Sequence, residues 1–426
     1  MDDSRILELG VRIGRNTAKV NDYLATNNLP QPSFDVDGPS QFPIPHDESE
    51  ISAARQAVLH DCLELRALML GPREYLTSFQ HNELVGQQVI TRFKLAEAVP
   101  IGGEVTFTEL AAISGLHEVH LRKILRLAIA QHIFCEPRPG VVAHSAVSRL
   151  IAENKVLADW LRYSTDDLWH AAYHMGDAMA RYPGSEEPGE TGFALSNKTN
   201  KDMFRFFAEK PERSLRFAAA MRFFTQRPGL EPERVIDGYP WDKIGIDGLG
   251  TVVDVGGSHG RVSIELARRF SSLNFVVQDL DEQVIRDAER QRPGELADRV
   301  SYMVHDFFTE QPIKGADVYF FRAILHNWSD TYATKILRAL IPALKRGAKI
   351  VLNEPVVPEP DKVLPENALR IRANDLVMLE LFNGGDREMA DFERLFARAH
   401  SGFRFQGGSR VPGSNLWILE AEWMGE

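Results

Sequence analysis

One run of the sequence, TVVDVGGSHGRVSIELARRF at residues 251–270, constrains the fold more than any other. It begins with a β-branched apolar segment typical of a buried strand, passes through a glycine-rich turn and continues with the apolar spacing of an amphipathic helix. Glycines at such a turn let main-chain amides and the helix N-terminus approach a polar ligand closely. We therefore expect an α/β domain with a ligand bound at this turn.

The glycines of this turn follow a spacing that differs from the dinucleotide pattern G-x-G-x-x-G. The order here is Asp254-x-Gly256-Gly257-x-x-Gly260, with an acid before the first glycine. A glycine cluster alone is weak evidence of a ligand, but this spacing favours a nucleoside that carries no pyrophosphate.

Acidic residues end the next two predicted strands. Asp279 ends the segment NFVVQD, where a carboxylate can accept both hydrogens of a ribose diol, whereas Asp281 suits a solvated turn or a helix cap. Asp306 and Phe307 end the following strand, where an acid can accept an exocyclic amine and a ring can cover adenine. Ligands of open α/β sheets bind outside the carboxyl ends of the strands, so these residues predict one nucleoside site.

The region after Trp241 alternates short β-branched runs with helical segments, which predicts a mostly parallel sheet. We predict its strands at Thr251–Val255, Phe275–Gln278, Val300–Val304, Val318–Phe321 and Ile350–Asn353. Two further strands, in FRFQGG and NLWILEAEW near the C-terminus, are expected to form an antiparallel edge.

The first 150 residues predict a mainly helical region. Residues 1–50 combine a short helix with a proline-rich stretch that predicts an extended surface strap, and residues 50–99 show helical apolar spacing. Residues 106–150 predict short helices and a hairpin, the pattern of a winged helix. Winged helices often bind DNA, but the second helix has a mixed rather than strongly basic face, so we expect this module to pack or dimerise.

Large apolar side chains at helical spacing dominate residues 152–240. Most of them must form a core, because methionines and aromatic rings at helical period usually pack. Such side chains also line pockets for flat ligands. We therefore keep four of them as candidates for a substrate pocket: Met175, Met179, Phe217 and Met221.

The net charge of −11 disfavours nucleic acids and anionic membranes as partners and favours a small organic ligand. No apolar run is long enough to span a bilayer, and the opening residues MDDSR lack the features of a secretory signal, so we expect a cytoplasmic protein. Cys62 and Cys135 are too few for a disulfide framework and wrongly spaced for a structural zinc site, so reduced thiols are expected.

The motifs taken together resemble those of a known family. The runs VVDVGGSHGRVSIELA, VVQDLDEQVI, HDFF, YFFRAILHNWSD and IVLNEPVVP resemble the S-adenosylmethionine-dependent O-methyltransferases, specifically the plant caffeate and flavonoid type and the fungal sterigmatocystin O-methyltransferase-like branch. These motifs lie densely in residues 250–400. The winged helix and the helical insert before them match the order of that family.

The resemblance implies an α/β fold: a Rossmann-like class I methyltransferase domain with a mixed seven-stranded sheet, preceded by a mainly helical winged-helix dimerisation domain. We divide the chain into a dimerisation domain at 1–165, a helical insert for the substrate pocket at 166–240 and a catalytic domain at 241–426. A homodimer is implied, as is S-adenosylmethionine as cofactor with S-adenosylhomocysteine as product. The cofactor residues implied are Asp254, Gly256, Gly257, Asp279, Leu280, Asp306, Phe307 and Arg322.

Methyl transfer to a phenol needs alignment and removal of the phenol proton, whose pKa is about 10. A neutral histidine suits this task, and the resemblance places His326, in FFRAILHNWSD, beside the cofactor as general base. The alternative is a structural histidine before a helix. A carboxylate usually orients such a base, and two acids qualify: Glu354, which ends KIVLNE, and Asp386, in FNGGD.

The sequence departs from the family at two positions near this histidine. The family has two flanking glutamates, whereas the second acid here is the shorter Asp386, so Glu354 is the first choice and a surface turn is the alternative for Asp386. Asn327 stands where the plant enzymes mostly have aspartate, and we assign it with Met378 and Phe382 to the substrate pocket. The sequence shows no grouping of metal-site quality, which argues against the magnesium-dependent catechol methyltransferases.

We therefore expect an O-methyltransferase that acts on a phenolic or enolic hydroxyl of an aromatic secondary metabolite such as a fungal polyketide. The alternative reaction class keeps the cofactor and catalyses dehydration or pericyclic ring formation. An intact His326 with Glu354 favours methyl transfer, whereas Asn327, Asp386 and a polar residue such as His132 near the pocket keep the alternative open. A winged-helix regulator would instead bind DNA in a salt-sensitive manner.

Overall fold

The computed structural model describes residues 4–45, 49–245, 249–358 and 365–425. The chain forms two compact units. The first comprises Met1–His170 with Pro211–Thr225, and the second comprises Ala171–Lys210 with Gln226–Glu426. Residues 166–240, the expected helical insert, are thus divided between the two units. The domain boundaries at residues 165 and 240 stay a prediction.

The helices follow one another along the chain in this order: α1 (Arg5–Thr26), α2 (Glu50–Thr77), α3 (Val85–Arg92), α4 (Leu95–Ala98), α5 (Phe107–Ser114), α6 (Glu118–Ala130), α7 (Ala146–Glu153), α8 (Lys155–Tyr163), α9 (Trp169–Arg181), α10 (Gly192–Ser196), α11 (Met203–Ala208), α12 (Pro211–Thr225), α13 (Pro232–Gly238), α14 (Arg261–Arg269), α15 (Glu282–Gln291), α16 (Asp330–Leu340), α17 (Pro365–Phe382) and α18 (Met389–Ala399). The strands are β1 (Glu104–Thr106), β2 (Cys135–Arg138), β3 (Val141–Ala143), β4 (Gly250–Val255), β5 (Leu273–Asp279), β6 (Val300–Val304), β7 (Val318–Arg322), β8 (Lys349–Glu354), β9 (Phe403–Arg410) and β10 (Trp417–Trp423).

The first unit contains the expected winged helix. Helices α5 and α6 are followed by the hairpin β2–β3, and β1 completes a three-stranded sheet of order β1-β3-β2. Thr106 begins α5 with a reciprocal capping box to Glu109, and Gly115 ends it with a φ of 71°. The apolar faces of these helices bury Phe107, Leu121 and other side chains in a common core.

The second unit is built on a seven-stranded mixed sheet of order β6-β5-β4-β7-β8-β10-β9. Strands β4 to β8 are parallel, and β10 lies antiparallel to β8 and to β9, which confirms the predicted antiparallel edge. The central strands read as continuous apolar runs because hydrophobic clusters cover both faces of the sheet. All five parallel strands therefore present their carboxyl ends at one edge.

That edge carries most of the residues singled out from the sequence. Asp279 and Glu354 are the last residues of β5 and β8, and Arg322 is the last residue of β7. Gly256 follows β4 directly, and Asp306 lies two residues after β6. Among the described residues, no helix combines the length and the apolar character needed to cross a membrane.

Candidate active site

The glycine turn after β4 requires its glycines for steric reasons. Gly256 and Gly260 have φ values of 74° and 68°, in the left-handed region that side chains disfavour. A Cβ on Gly256 would lie 2.6 Å from Ile324 Cδ1, and one on Gly257 would lie 2.5 Å from the Asp254 carboxyl carbon. The turn is therefore packed against its neighbours to a degree that only glycine permits, as a cradle for a closely bound ligand requires.

Asp254 lies beneath this turn and is 3% exposed. Its Oδ2 accepts a 2.6 Å hydrogen bond from the hydroxyl of Ser263 on α14. Burial raises the pKa of Asp254 to about 6, against the hydrogen bond from Ser263 and the charge of Arg322, which lower it. These contacts tie β4 to α14, so Asp254 shapes the turn from below.

Asp279 connects the end of β5 to the glycine turn. Its Oδ2 accepts from the Ser258 amide and its Oδ1 accepts from the Asp281 amide, both at 3.1 Å. Burial raises the pKa of Asp279, and these backbone hydrogen bonds oppose that rise. Asp281 itself accepts from two amides of the first turn of α15, as the helix-cap alternative for that residue expects. Leu280, between the two acids, is 48% exposed.

Phe307 lies at the next strand end and faces the glycine turn. Its Cε1 would be 3.8 Å from a Cβ built on Gly256, and its ring packs edge-on against Trp328 with centroids 5.9 Å apart. Asp306 Oδ1 accepts a 3.0 Å hydrogen bond from the Phe308 amide, which holds this short segment. An aromatic ring beside a backbone that only glycine can form suits a planar base such as adenine.

Arg322 is engaged by protein atoms at the end of β7. Its guanidinium donates to Asn353 Oδ1 and, at 2.6 Å, to the carbonyl of Leu230. Burial lowers its pKa to about 10, against the charge of Asp254, which raises it. In this arrangement Arg322 braces β7 against β8 and the chain before α13, and it offsets the negative charge of Asp254.

His326 lies in a 3-10 turn, Leu325–Asn327, which we call the base turn. Its Nδ1 is 3.1 Å from Asp386 Oδ1, and within the described ranges no hydrogen bond reaches its Nε2. Burial lowers the pKa of His326, but the hydrogen bond to Asp386 and the charges of Glu354 and Asp386 outweigh this, so the pKa is raised. With Nδ1–H donated to Asp386, Nε2 is the nitrogen that can accept a proton.

The Glu354 side chain supports the base turn by bonding backbone amides of that segment. Its Oε1 accepts from the amides of Ile324 and Leu325 at 2.8 and 2.7 Å, while Oε2 is buried with no hydrogen-bond partner in the described part of the chain. Burial raises the pKa of Glu354, against the charge of His326. The sequence ranked Glu354 above Asp386 as the partner of the histidine, whereas in the structure Asp386 makes the direct contact.

Helix α17 and the loop after it contribute residues that the sequence analysis missed. Arg387, 5% exposed, hydrogen-bonds the base turn, and Asp375 Oδ1 accepts from the Asp386 amide at 2.8 Å. The Gly385 amide donates to the His326 carbonyl at 2.9 Å, and a Cβ on Gly384 would lie 2.5 Å from that oxygen. Two adjacent glycines before an acid were the available signal of this close approach.

A second missed contact joins the segment before α10 to the start of α16 and to the loop after α17. Glu186 accepts from the Thr331 amide at the start of α16, and Glu187 accepts from the Tyr332 hydroxyl, at 2.8 and 2.5 Å. The Asn383 side-chain amide donates to the carbonyls of Glu187 and Glu190 at 2.8 and 3.2 Å. We call residues 185–190 the latch, since they bond both to α16 and to the loop that carries Asp386.

The candidate pocket residues have different surroundings. Phe382 is buried and stacks on Phe204 at 5.2 Å, and Asn327 bonds its own turn through the Ala323 carbonyl. Met175 and Met378 are half-buried, and Met179 is 58% exposed. Phe217 and Met221 belong to the first unit. His132, expected near the pocket, also lies in the first unit, and its ring stacks on Phe34 with centroids 4.2 Å apart.

A group with metal-ligand spacing occurs on α2. In the portion that the structure describes, only His60, Asp61 and Glu64 place potential ligand atoms within 4.8 Å of one another. Arg5 donates to Glu64 and Arg12 donates to Asp61, so cations of the protein already neutralise both carboxylates. This group is therefore poorly suited to a metal ion.

The fold and the strand-end geometry define a class I methyltransferase. The chain belongs to the family described as the O-methyltransferase domain, whose model matches residues 156–404. It is therefore an S-adenosylmethionine-dependent O-methyltransferase. The glycine cradle, the Asp279 carboxylate and the Phe307 ring fit the adenosyl part of that cofactor.

Curated relatives match the chain over nearly its full length. The grayanic acid biosynthesis cluster O-methyltransferase of Cladonia grayi is 40% identical, covering 99% of this chain and 89% of that protein. The chlorophenol O-methyltransferase of Trichoderma longibrachiatum is 37% identical, covering 99% of this chain and 91% of that protein.

Solved structures share the fold at lower identity. OxaC, in complex with SAH and oxaline, has a TM-score of 0.77 at 21% identity and covers 99% of this chain and 100% of its own. A structure titled "A Pericyclic Reaction enzyme" has a TM-score of 0.69 at 21% identity, covering 87% of this chain and 94% of its own. The same fold thus occurs in structures whose titles describe different kinds of protein.

Proposed function

We propose that this protein methylates a phenolic or enolic hydroxyl of an aromatic metabolite, with His326 as general base. The hydrogen bond between His326 Nδ1 and Asp386 carries this proposal. It fixes the tautomer in which Nε2 has a free electron pair, and it stabilises the imidazolium that forms when Nε2 takes the hydroxyl proton. The raised pKa of His326 makes it a stronger proton acceptor than an ordinary imidazole.

The chain's own residues divide the remaining work. Asp279 is proposed to accept from the ribose hydroxyls, Phe307 to cover the adenine ring, and Gly256 and Gly257 to let the backbone approach. Asp254 and Arg322 shape this edge from below through their bonds to Ser263, Asn353 and Leu230. S-adenosylmethionine, when bound, supplies the electrophilic methyl group.

The substrate class rests on the relatives and on the base. Relatives named for grayanic acid biosynthesis and for chlorophenol suggest an aromatic hydroxyl from fungal secondary metabolism. A phenol with a pKa of about 10 is largely protonated at neutral pH, so it needs a base such as His326. We propose Met175, Met378 and Phe382, which all belong to the second unit, as residues of the substrate pocket.

We also propose a cytoplasmic homodimer. The first unit exposes large apolar side chains on α1 and α2, including Leu7, Val11, Leu63 and Met69, and such clusters commonly mark an interface between subunits. We also propose the division of the chain at residues 165 and 240 into a dimerisation domain, a helical insert and a catalytic domain. Sedimentation of the purified protein would test the dimer, and a monomer at micromolar concentration would contradict it.

Transfer of a labelled methyl group tests the proposed reaction. The wild-type protein is incubated with methyl-labelled cofactor and a panel of phenols, and we expect label on the phenolic oxygen. The variant His326→Ala should bind cofactor normally and lose about 10³-fold in kcat, as expected for loss of a general base. Full turnover by that variant would refute the base. Conversion of a metabolite with all label left on the cofactor would instead support the pericyclic or dehydration alternative.

A further inference from the structure

Arg387 makes an unusual set of contacts for an arginine beside a proposed catalytic acid. Its Nη1 donates to the Leu325 carbonyl and its Nη2 to the Trp328 carbonyl, both at 2.7 Å. Its Nε donates to Asp330 Oδ1 at 2.9 Å. All three donor groups of the guanidinium therefore engage the segment that contains His326.

The backbone of Arg387 is fixed as well. Its carbonyl accepts from the Val357 amide at 2.9 Å, and residues 356 and 387 form a parallel bridge beyond the end of β8. The Arg387 side chain is 6% exposed, whereas that of Asp330 is 55% exposed. A buried guanidinium is costly unless it is hydrogen-bonded, and here two of its acceptors are the carbonyls of Leu325, in the base turn, and of Trp328, directly after it.

These contacts bear on the geometry of the base. Asp386 directly precedes Arg387, and the Asp386 carboxylate bonds His326 Nδ1. Leu325 and Trp328 lie on the two sides of His326 in the chain. The Arg387 guanidinium bonds the carbonyls on both sides of His326, and the adjacent Asp386 bonds the His326 imidazole. The planar guanidinium therefore fixes the position of the base turn relative to the loop after α17. Lysine has the charge but not this planar set of donors.

We propose that Arg387 is a positioning residue that holds the base turn and the Asp386 carboxylate in register, so that His326 Nε2 faces the substrate hydroxyl. This inference rests on the proposed role of His326. It goes beyond that role because it assigns the alignment of the pair to a residue that need not touch substrate or cofactor. Small misplacements of a reacting group cost up to about 100-fold in rate, so alignment alone is a large effect.

The first test replaces Arg387 with lysine. We expect Arg387→Lys to lower kcat by about tenfold or more while the Kd for cofactor changes less than about twofold. The matched control is Arg338→Lys, since Arg338 likewise donates to two carbonyls, of Ala399 and Arg398, in the same unit. We expect the control to keep wild-type kcat.

The pH profile separates positioning from a merely structural role. The charged groups that face His326 are Glu354 from β8 with Asp386 and Arg387 from the loop after α17. Lysine keeps the positive charge, so the main change in Arg387→Lys is a weaker bond from His326 to Asp386. That bond raises the pKa of His326, and its loss should move the acidic limb of kcat to lower pH.

A second variant covers the case in which Arg387→Lys does not fold. Asp330→Asn removes the charge of the exposed partner, and it should lower kcat by about threefold and shift the limb in the same direction. Adding Arg387→Lys to Asp386→Ala should cause little further loss, because both act on one contact. A wild-type kcat in Arg387→Lys, an unshifted acidic limb of its pH profile, or additive losses of kcat in the double variant would overturn the assignment. If only Asp330→Asn folds, an unchanged kcat in that variant would overturn it. An active His326→Ala would instead refute the proposed function itself.

Discussion

The cofactor edge and the base turn lie at the same end of the sheet but are held in different ways. At the cofactor edge, the Asp279 carboxylate accepts hydrogen bonds from the amides of Ser258 and Asp281, which lie 21 and 2 residues away in the chain. The base turn depends on side chains of a loop about 60 residues away, through the contacts of Asp386 and Arg387. Loss of the Asp279 side chain removes bonds to the glycine turn, whereas loss of the Asp386 or Arg387 side chain removes bonds to the turn that carries the proposed base. Substitutions should therefore affect binding at the first site and chemistry at the second.

After loss of His326 itself, the largest effect is expected for Asp386→Ala. Loss of its carboxylate frees the tautomer and orientation of His326, and kcat should fall about 100-fold while cofactor affinity is unchanged. Because Asp386 raises the pKa of His326, the acidic limb of kcat should move to lower pH. Steady-state kinetics across pH check both points, with Asp298→Ala at an exposed position as control. A normal kcat with a weaker affinity for cofactor would show that Asp386 serves cofactor binding rather than the chemical step.

An intermediate effect of the opposite kind is expected for Asp279→Ala. A carboxylate that accepts from ribose hydroxyls contributes about 1.5–3 kcal/mol, so the Kd for cofactor should rise roughly tenfold or more. At saturating cofactor, kcat and its acidic limb should stay close to those of the wild-type protein. Calorimetric titration with S-adenosylhomocysteine measures the affinity. Unchanged affinity would remove Asp279 from the cofactor site.

The smallest effect is expected at the latch. Asn383 has a φ of 53°, so Asn383→Gly removes its two hydrogen bonds without adding backbone strain. We expect the KM for the phenol to rise about fivefold with little change in kcat, in keeping with the loss of about 1 kcal/mol. Asn383→Asp, which keeps the shape but loses the donor, should behave alike. A drop in kcat without a change in KM would place the latch with the base turn instead.

The cofactor edge could be predicted from the sequence because each feature is local. Parallel strands end at one edge, so an acid at the end of a predicted strand is placed by the topology alone. The predicted strand from Val300 to Val304 agrees with β6 at both ends, and the other strands differ by a few residues at most. The family motif added Leu280 and Arg322, of which Arg322 bonds protein atoms on both sides.

The base turn was harder to predict because its contacts join distant segments. Spacing placed His326 after a strand, but it could not show that Asp386 reaches Nδ1 while Glu354 bonds the backbone. Gly384 and the Gly385 amide approach the His326 carbonyl closely, which brings the loop against the turn and lets the short Asp386 side chain reach Nδ1. Arg387 was missed because an arginine after an acid has no distinctive pattern in sequence.

A series of phenols of decreasing pKa tests most directly whether His326 removes the substrate proton. Single-turnover methyl transfer is measured at fixed pH for the wild-type protein and for His326→Ala. If His326 is the base, the variant is far slower with a phenol that is protonated at the assay pH and approaches the wild-type rate with one that is already ionised. A ratio of the two rates that stays constant across the series would contradict the assignment.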